Sequence, residues 1–142
     1  MKTLRTVTVC GLLALAAAGC TSAFPSPEVE VITMNPAALT GTNSITITFE
    51  SKNHIDAIIT NNRVVCRGAT TQTFNYKVNL YVPADGTDVE LVVEWDAAGL
   101  DALRAAIGYD TNNERNMVFT FSGTDAYGDN KTFTVRDFTI AF

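Results

Sequence analysis

The stretch Phe74-Asn75-Tyr76-Lys77-Val78-Asn79-Leu80-Tyr81-Val82 decides the fold class. Apolar residues occupy every second position, with Asn75, Lys77, Asn79 and the amphipathic Tyr81 between them. Successive side chains of an extended strand point to opposite faces, so this spacing makes one dry face and one wet face and fits no helical period. The same period runs through most of the chain. Val29 and Val31 alternate with Glu28 and Glu30, and Ile45, Ile47 and Phe49 with Thr46, Thr48 and Glu50. Ile55, Ala57 and Ile59 follow. Val89, Leu91, Val93 and Trp95 alternate with Asp88, Glu90 and Glu94, and Met117, Phe119 and Phe121 continue in phase before Phe133 and Val135.

Turn-forming residues separate these runs: Thr40-Gly41-Thr42-Asn43, Asn61-Asn62, Ala84-Asp85-Gly86-Thr87 and Asp125-Ala126-Tyr127-Gly128-Asp129-Asn130. Around Cys66 the alternation puts Val64 and Cys66 on the core face and Arg63, Val65 and Arg67 on the other, with Val65, Val92 and Val118 expected in solvent. The last strand changes phase: Phe133 and Val135 have one parity, Phe138, Ile140 and Phe142 the other. A bulge at Arg136-Asp137 would return all five to the core; the alternative is a strand crossing between two packed environments.

One segment follows a different period. Leu100, Leu103 and Ile107 recur at helical spacing, with Asp96 able to cap the start and Gly108 the end. A short crossover helix near 97–107 is expected to cover one end of the core. Seven to eight short strands with one such helix predict an all-β, two-sheet Greek-key sandwich. The closing segment, Phe119 to Val135 around Thr124-Asp125-Ala126-Tyr127-Gly128-Asp129-Asn130, resembles the final hairpin of bacterial immunoglobulin-like and fibronectin type III-like modules, with Asp129 inserted before the Asn. That resemblance implies a fold and names no ligand.

The N-terminus has a separate logic. Lys2 and Arg5 precede an uncharged run from Val7 to Ala18, which ends in Ala17-Ala18-Gly19-Cys20. A short apolar run behind a positive start is the layout of a secretory signal peptide, too short for a membrane-spanning helix. The ending resembles the lipobox of bacterial lipoproteins, although Ala17 stands where Leu is commonest. The resemblance implies acylation of Cys20 after removal of residues 1–19, including Cys10. An ordinary secretory cleavage near Ala18 would instead leave Cys20 a plain thiol. Thr21 after the cysteine, where Asp would imply inner-membrane retention, favours the outer membrane if the cell has one. Residues 20–27, with Pro25 and Pro27, read as an extended tether spanning at most about 27 Å, followed by a domain over 28–142.

Charge narrows the partners. Of 10 basic residues, Lys2 and Arg5 leave with the signal; 8 remain against 15 acidic, a mature net charge of −7. A nucleic-acid partner needs a clustered basic footprint, so none is expected, nor is a polybasic membrane patch. Removal of Cys10 and acylation of Cys20 would leave only Cys66, read as a buried small hydrophobe, and no intramolecular disulfide.

Candidate chemistry is sparse. His54, the one histidine, shares a predicted strand face with Asp56, but no nucleophile is placed beside it. Glu90 and Glu94 line a solvent face. Asp110, Asn112 and Glu114 open like a calcium-binding EF-hand loop, but Arg115 and Phe121 occupy the positions of its Gly and bidentate Glu. A looser metal site joining that loop to Asp125 or Asp129 is the alternative; turn chemistry explains the same residues. Tyr81, Tyr109 and Tyr127 are the candidates for a sugar-binding surface. These readings make the chain a lipid-anchored, non-catalytic envelope module that holds another envelope component or itself and needs no cofactor. The alternative is an accessory carbohydrate- or calcium-binding module.

Overall fold

The computed structural model describes residues 25–39, 42–108, 116–128 and 131–141. Eight strands and one helix follow in the order β1 (Val29–Asn35), β2 (Ser44–Ser51), β3 (Ala57–Arg67), β4 (Thr71–Val82), β5 (Val89–Glu94), α1 (Ala97–Ile107), β6 (Asn116–Asp125), β7 (Thr132–Thr134) and β8 (Phe138–Ala141). They form two antiparallel sheets. One has the order β1-β2-β5; the other runs β4-β3-β6-β7, with β8 also paired to β6. The chain changes sheet between β2 and β3, between β4 and β5, and between β5 and β6. This is the Greek-key sandwich expected from the alternating pattern.

The core is the set of inward faces. Ile45, Ile47 and Phe49 of β2 meet Ile59, Val64 and Cys66 of β3 and Met117, Phe119 and Phe121 of β6, all buried. Phe49 and Phe121 join the sheets edge to face, with centroids 4.9 Å apart. Burying each such side chain contributes roughly 1.5–3 kcal/mol. Without a disulfide among the described residues, packing carries the fold.

Helix α1 forms as expected. The Asp96 carboxylate accepts the Gly99 N–H at 2.9 Å, and Gly108 ends the helix in the left-handed conformation at φ 68°. Leu100 and Ile107 are buried. The Thr70 N–H bonds Ile107 O at 3.2 Å, tying the helix end to the β3–β4 hairpin. The C-terminal strand is interrupted at Val135–Asp137. β7 pairs with Ser122–Thr124 and β8 with Asn116–Phe119, and Phe133, Val135 and Ile140 are all buried. The Phe138 side chain and Phe142 lie outside the described residues.

Two expectations are corrected. Asn61-Asn62 is not a turn; both lie inside β3, which runs on to Arg67. Ile59 pairs with Gly123 and Asn61 with Ser122, so Thr60 is an extra residue on β3. This bulge switches the inward parity from Ala57 and Ile59 to Asn62, Val64 and Cys66. Gly123 sits where the strands close on the bulge, and a Cβ there would collide with the Ile58 carbonyl. Val65 and Val118 are buried rather than exposed, at 8% and 5%. They oppose each other in register on the two central strands, flanked by Thr73 and Thr139, so each covers the other. Val92 is exposed, as expected.

Five strands thus lie against three. β5 is an edge of the smaller sheet and β4 an edge of the larger.

Candidate functional site

Three connections meet at one end of the sandwich: residues 52–56 before β3, 83–88 after β4, and 126–128 after β6. Register brings them together. Ala57 pairs with Val82 on one side and with Asp125 on the other. Asp56, one residue earlier, therefore stands between the end of β4 and the end of β6. Tyr81 reaches it from β4 and Tyr127 from the turn after β6.

The contacts converge on one carboxylate. Tyr81 donates its hydroxyl to Asp56 Oδ1 and Tyr127 donates to Asp56 Oδ2, each at 2.6 Å. The Ala84 N–H adds a third bond, to Oδ1 at 2.8 Å. The Ala126 N–H bonds the Asp56 backbone carbonyl at 3.0 Å. These donors favour the charged carboxylate, Tyr127 most, then Tyr81 and Ala84, and hold Asp56 below its ordinary range. The converse applies to the phenols: the bond to Asp56 pushes Tyr81 up to about 12 and also raises Tyr127.

The neighbouring loop residues are committed in the same way. His54 has a left-handed backbone, φ 55°, and its Nδ1 lies 2.9 Å from the Ala84 carbonyl, so that nitrogen carries the proton. His54 and Asp56 do not share a strand face. Both precede β3, and each engages Ala84 instead of the other. Asp125 closes its own turn, accepting the Tyr127 N–H at 2.9 Å and the Lys131 N–H at 2.5 Å. Asp110, Asn112, Glu114, Asp129 and Tyr109 lie outside the described residues.

The chain enters the domain at this same end. Asn53 donates to Ser26 O at 2.8 Å and accepts the Glu28 N–H at 3.0 Å; Pro27 is buried. The segment read as tether is therefore docked over its last residues, against the loop that carries His54 and Asp56. Cys20 lies outside the described residues.

Two of the three candidate tyrosines thus share one surface, with Tyr81 51% and Tyr127 66% exposed. Their rings face solvent while their hydroxyls are taken by Asp56. The cluster offers flat apolar faces around a carboxylate that already accepts three hydrogen bonds. It is built to hold three loops in place and to present aromatic surface. Sequence spacing did not pair Asp56 with either tyrosine; only strand register does, across 25 and 71 positions. Cys66 is buried in the core as expected, and burial pushes its thiol up to about 11.

No protein-family model matches the chain, and no curated protein matches it. Among solved structures, the solution structure of a protein described as late embryogenesis abundant is similar at a TM-score of 0.46 and 14% identity, over 97% of this chain and 83% of that one.

Proposed function

We propose that the chain is a bacterial lipoprotein, acylated on Cys20 and held in the cell envelope, whose β-sandwich is a non-catalytic module that binds another envelope component. The lipobox-like Ala17-Ala18-Gly19-Cys20 supports the anchor, and Thr21 supports the outer membrane where the cell has one. The observation that carries the binding role is the Tyr81–Asp56–Tyr127 brace. The polar cluster that most resembles chemical machinery is spent on fixing loops at the end where the chain enters, with both carboxylate oxygens occupied. A lipid on Cys20 would turn that end toward the bilayer and leave the flanks and the helix-bearing end free for a partner.

A second reading has its own support. Two exposed tyrosine rings on one surface suit stacking against a sugar, which favours an accessory carbohydrate-binding role over the calcium alternative. In-cell crosslinking of the intact protein, read by mass spectrometry, tests the first reading. A reproducible partner, together with an acylated Cys20 at the mature N-terminus, is the expected result. Monomer alone, with a free N-terminal thiol, would overturn it; loss of glycan binding on Tyr127→Ala would favour the second.

A further inference from the structure

The imbalance of five strands against three is concentrated at β4. Its inward row of Phe74, Val78 and Leu80 is only partly covered, and Tyr76 is 41% exposed. Opposite stand Leu91 and Val93 of β5, the edge strand of its sheet, and Trp95 just beyond it. Between them runs an open groove of ≈ 370 Å³, walled by Tyr76 and Val78 on one side and Leu91, Val93 and Trp95 on the other, and reaching Asn62. The bulge at Thr60 turned Asn62 inward, where it pairs in register with Tyr76 and Phe121. Asn62 is 2% exposed, and its Oδ1 has no hydrogen-bond partner among the described residues. A buried acceptor left without a donor is costly, and native structures hold few of them.

The edge beside this groove is also open among the described residues. The Trp95 N–H bonds Asn43 O at 2.8 Å, so residues of the same parity, Val93, Leu91 and Val89, turn their backbone groups toward β2. The backbone groups of Glu90, Val92 and Glu94 therefore point to the free side. Their side chains lie on the outer face, exposed, with Val92 between two carboxylates.

We propose that the β5 edge takes one added strand from a partner polypeptide. The incoming segment is extended, with Lys or Arg on its outer face beside Glu90 and Glu94. Its alternate residues are apolar and fill the groove over β4, and one of them carries an N–H or O–H donor to Asn62 Oδ1. This rests on the interaction reading and gives it a site. Main-chain bonds to an open edge supply affinity and alternate pockets supply specificity. Sheets stack about 10 Å apart, so a strand beside β5 would lie over the uncovered row of β4. A second copy of this chain does not fit: two β5 edges paired antiparallel about Val92 would set Glu90 of each against Glu94 of the other.

The test uses the full chain and the peptide Lys-Val-Lys-Gln-Lys-Val-Lys, with a counterpart carrying Glu for every Lys. Trp95 is the single tryptophan, so its emission reports occupancy of the groove. The Lys peptide is expected to shift that emission saturably and to slow amide exchange at Glu90, Val92 and Glu94, while the Glu peptide does neither. Val92→Pro removes an edge donor and should weaken binding by about tenfold or more. The double variant Glu90→Lys, Glu94→Lys leaves the backbone intact and should transfer the preference to the Glu peptide. Equal binding of both peptides, binding without exchange protection, or an unchanged preference in the double variant would overturn the proposal. A partner crosslinked in cells by a protein that binds neither peptide would overturn the edge assignment and leave the interaction reading standing. Peptide binding with no partner in cells would do the reverse.

Discussion

Tyr127 donates its hydroxyl to Asp56 at 2.6 Å from 71 positions away, closing the end of the sandwich where the chain enters. Tyr81 takes the other carboxylate oxygen, so one ionised group joins three connections that local sequence does not join.

That brace has a pH window. Asp56 is held below its ordinary value, so its contribution is present above about pH 4 and is lost as pH falls through the lowered value. Tyr81 is raised, so its contribution is complete below about pH 10 and is lost as pH rises through about 12. Asp56→Asn removes the charge that holds the phenol neutral. Its titration, followed by phenolate absorbance, should bring Tyr81 back toward about 10. A Tyr81 that still titrates near 12 in this variant would show that the carboxylate is not the cause.

Gly123→Ala places a methyl group against the Ile58 carbonyl, on backbone that cannot rotate away. The cost should reach or exceed the upper end of the roughly 1–3 kcal/mol typical of overpacking, because the bulge must move. Urea unfolding measures it. Gly128→Ala serves as the comparison: its left-handed backbone also opposes a side chain, but the space around it is open.

Phe121 contacts Phe49 edge to face and stacks near Phe119 at 6.3 Å. Phe121→Ala should cost about 3–5 kcal/mol, through lost burial and the cavity left between the sheets. An unfolding free energy within 1 kcal/mol or so of the parent would mean that the sheets do not meet at this ring.

Asn62→Leu should stabilise the free protein by about 1–3 kcal/mol, since it exchanges a buried acceptor without a donor for apolar volume of similar size. Thermal unfolding reads the change directly. A lower Tm would mean that the carboxamide is satisfied in solution and that the groove lacks the open acceptor assigned to it.

Cys66 should be unreactive in the folded chain. With its thiol pushed up to about 11 by burial, almost none is thiolate at neutral pH. Alkylation of the Cys66 peptide, followed by mass spectrometry, should be slow in buffer and rapid in denaturant. Rapid labelling without denaturant would place the residue outside the core.

What the chain determined locally was face and element type. Phe74 to Val82 can only be half-buried as a strand, because a period of two puts all its apolar residues on one side. Asp96 and Gly108 bound a helix through chemistry confined to a few residues. Cys66 followed from the same alternation. Where local and tertiary preferences diverged, tertiary structure decided. Asn61-Asn62 carries turn-forming residues, yet pairing on both sides holds it in β3, with Thr60 an extra residue against β6. That slip turned a polar side chain, Asn62, into the core beside the groove next to β5. Val65 and Val118 lie on the outer parity, but cross-strand opposition in the middle of a five-stranded sheet buries both. Asp56 met Tyr81 and Tyr127 only through register, because the pairing of Ala57 with Val82 and with Asp125 brings the connection before β3 to the end of β4 and to the turn after β6. Periodicity sets which way a side chain faces; which neighbour it meets depends on how strands are paired, and that is a property of the whole sheet.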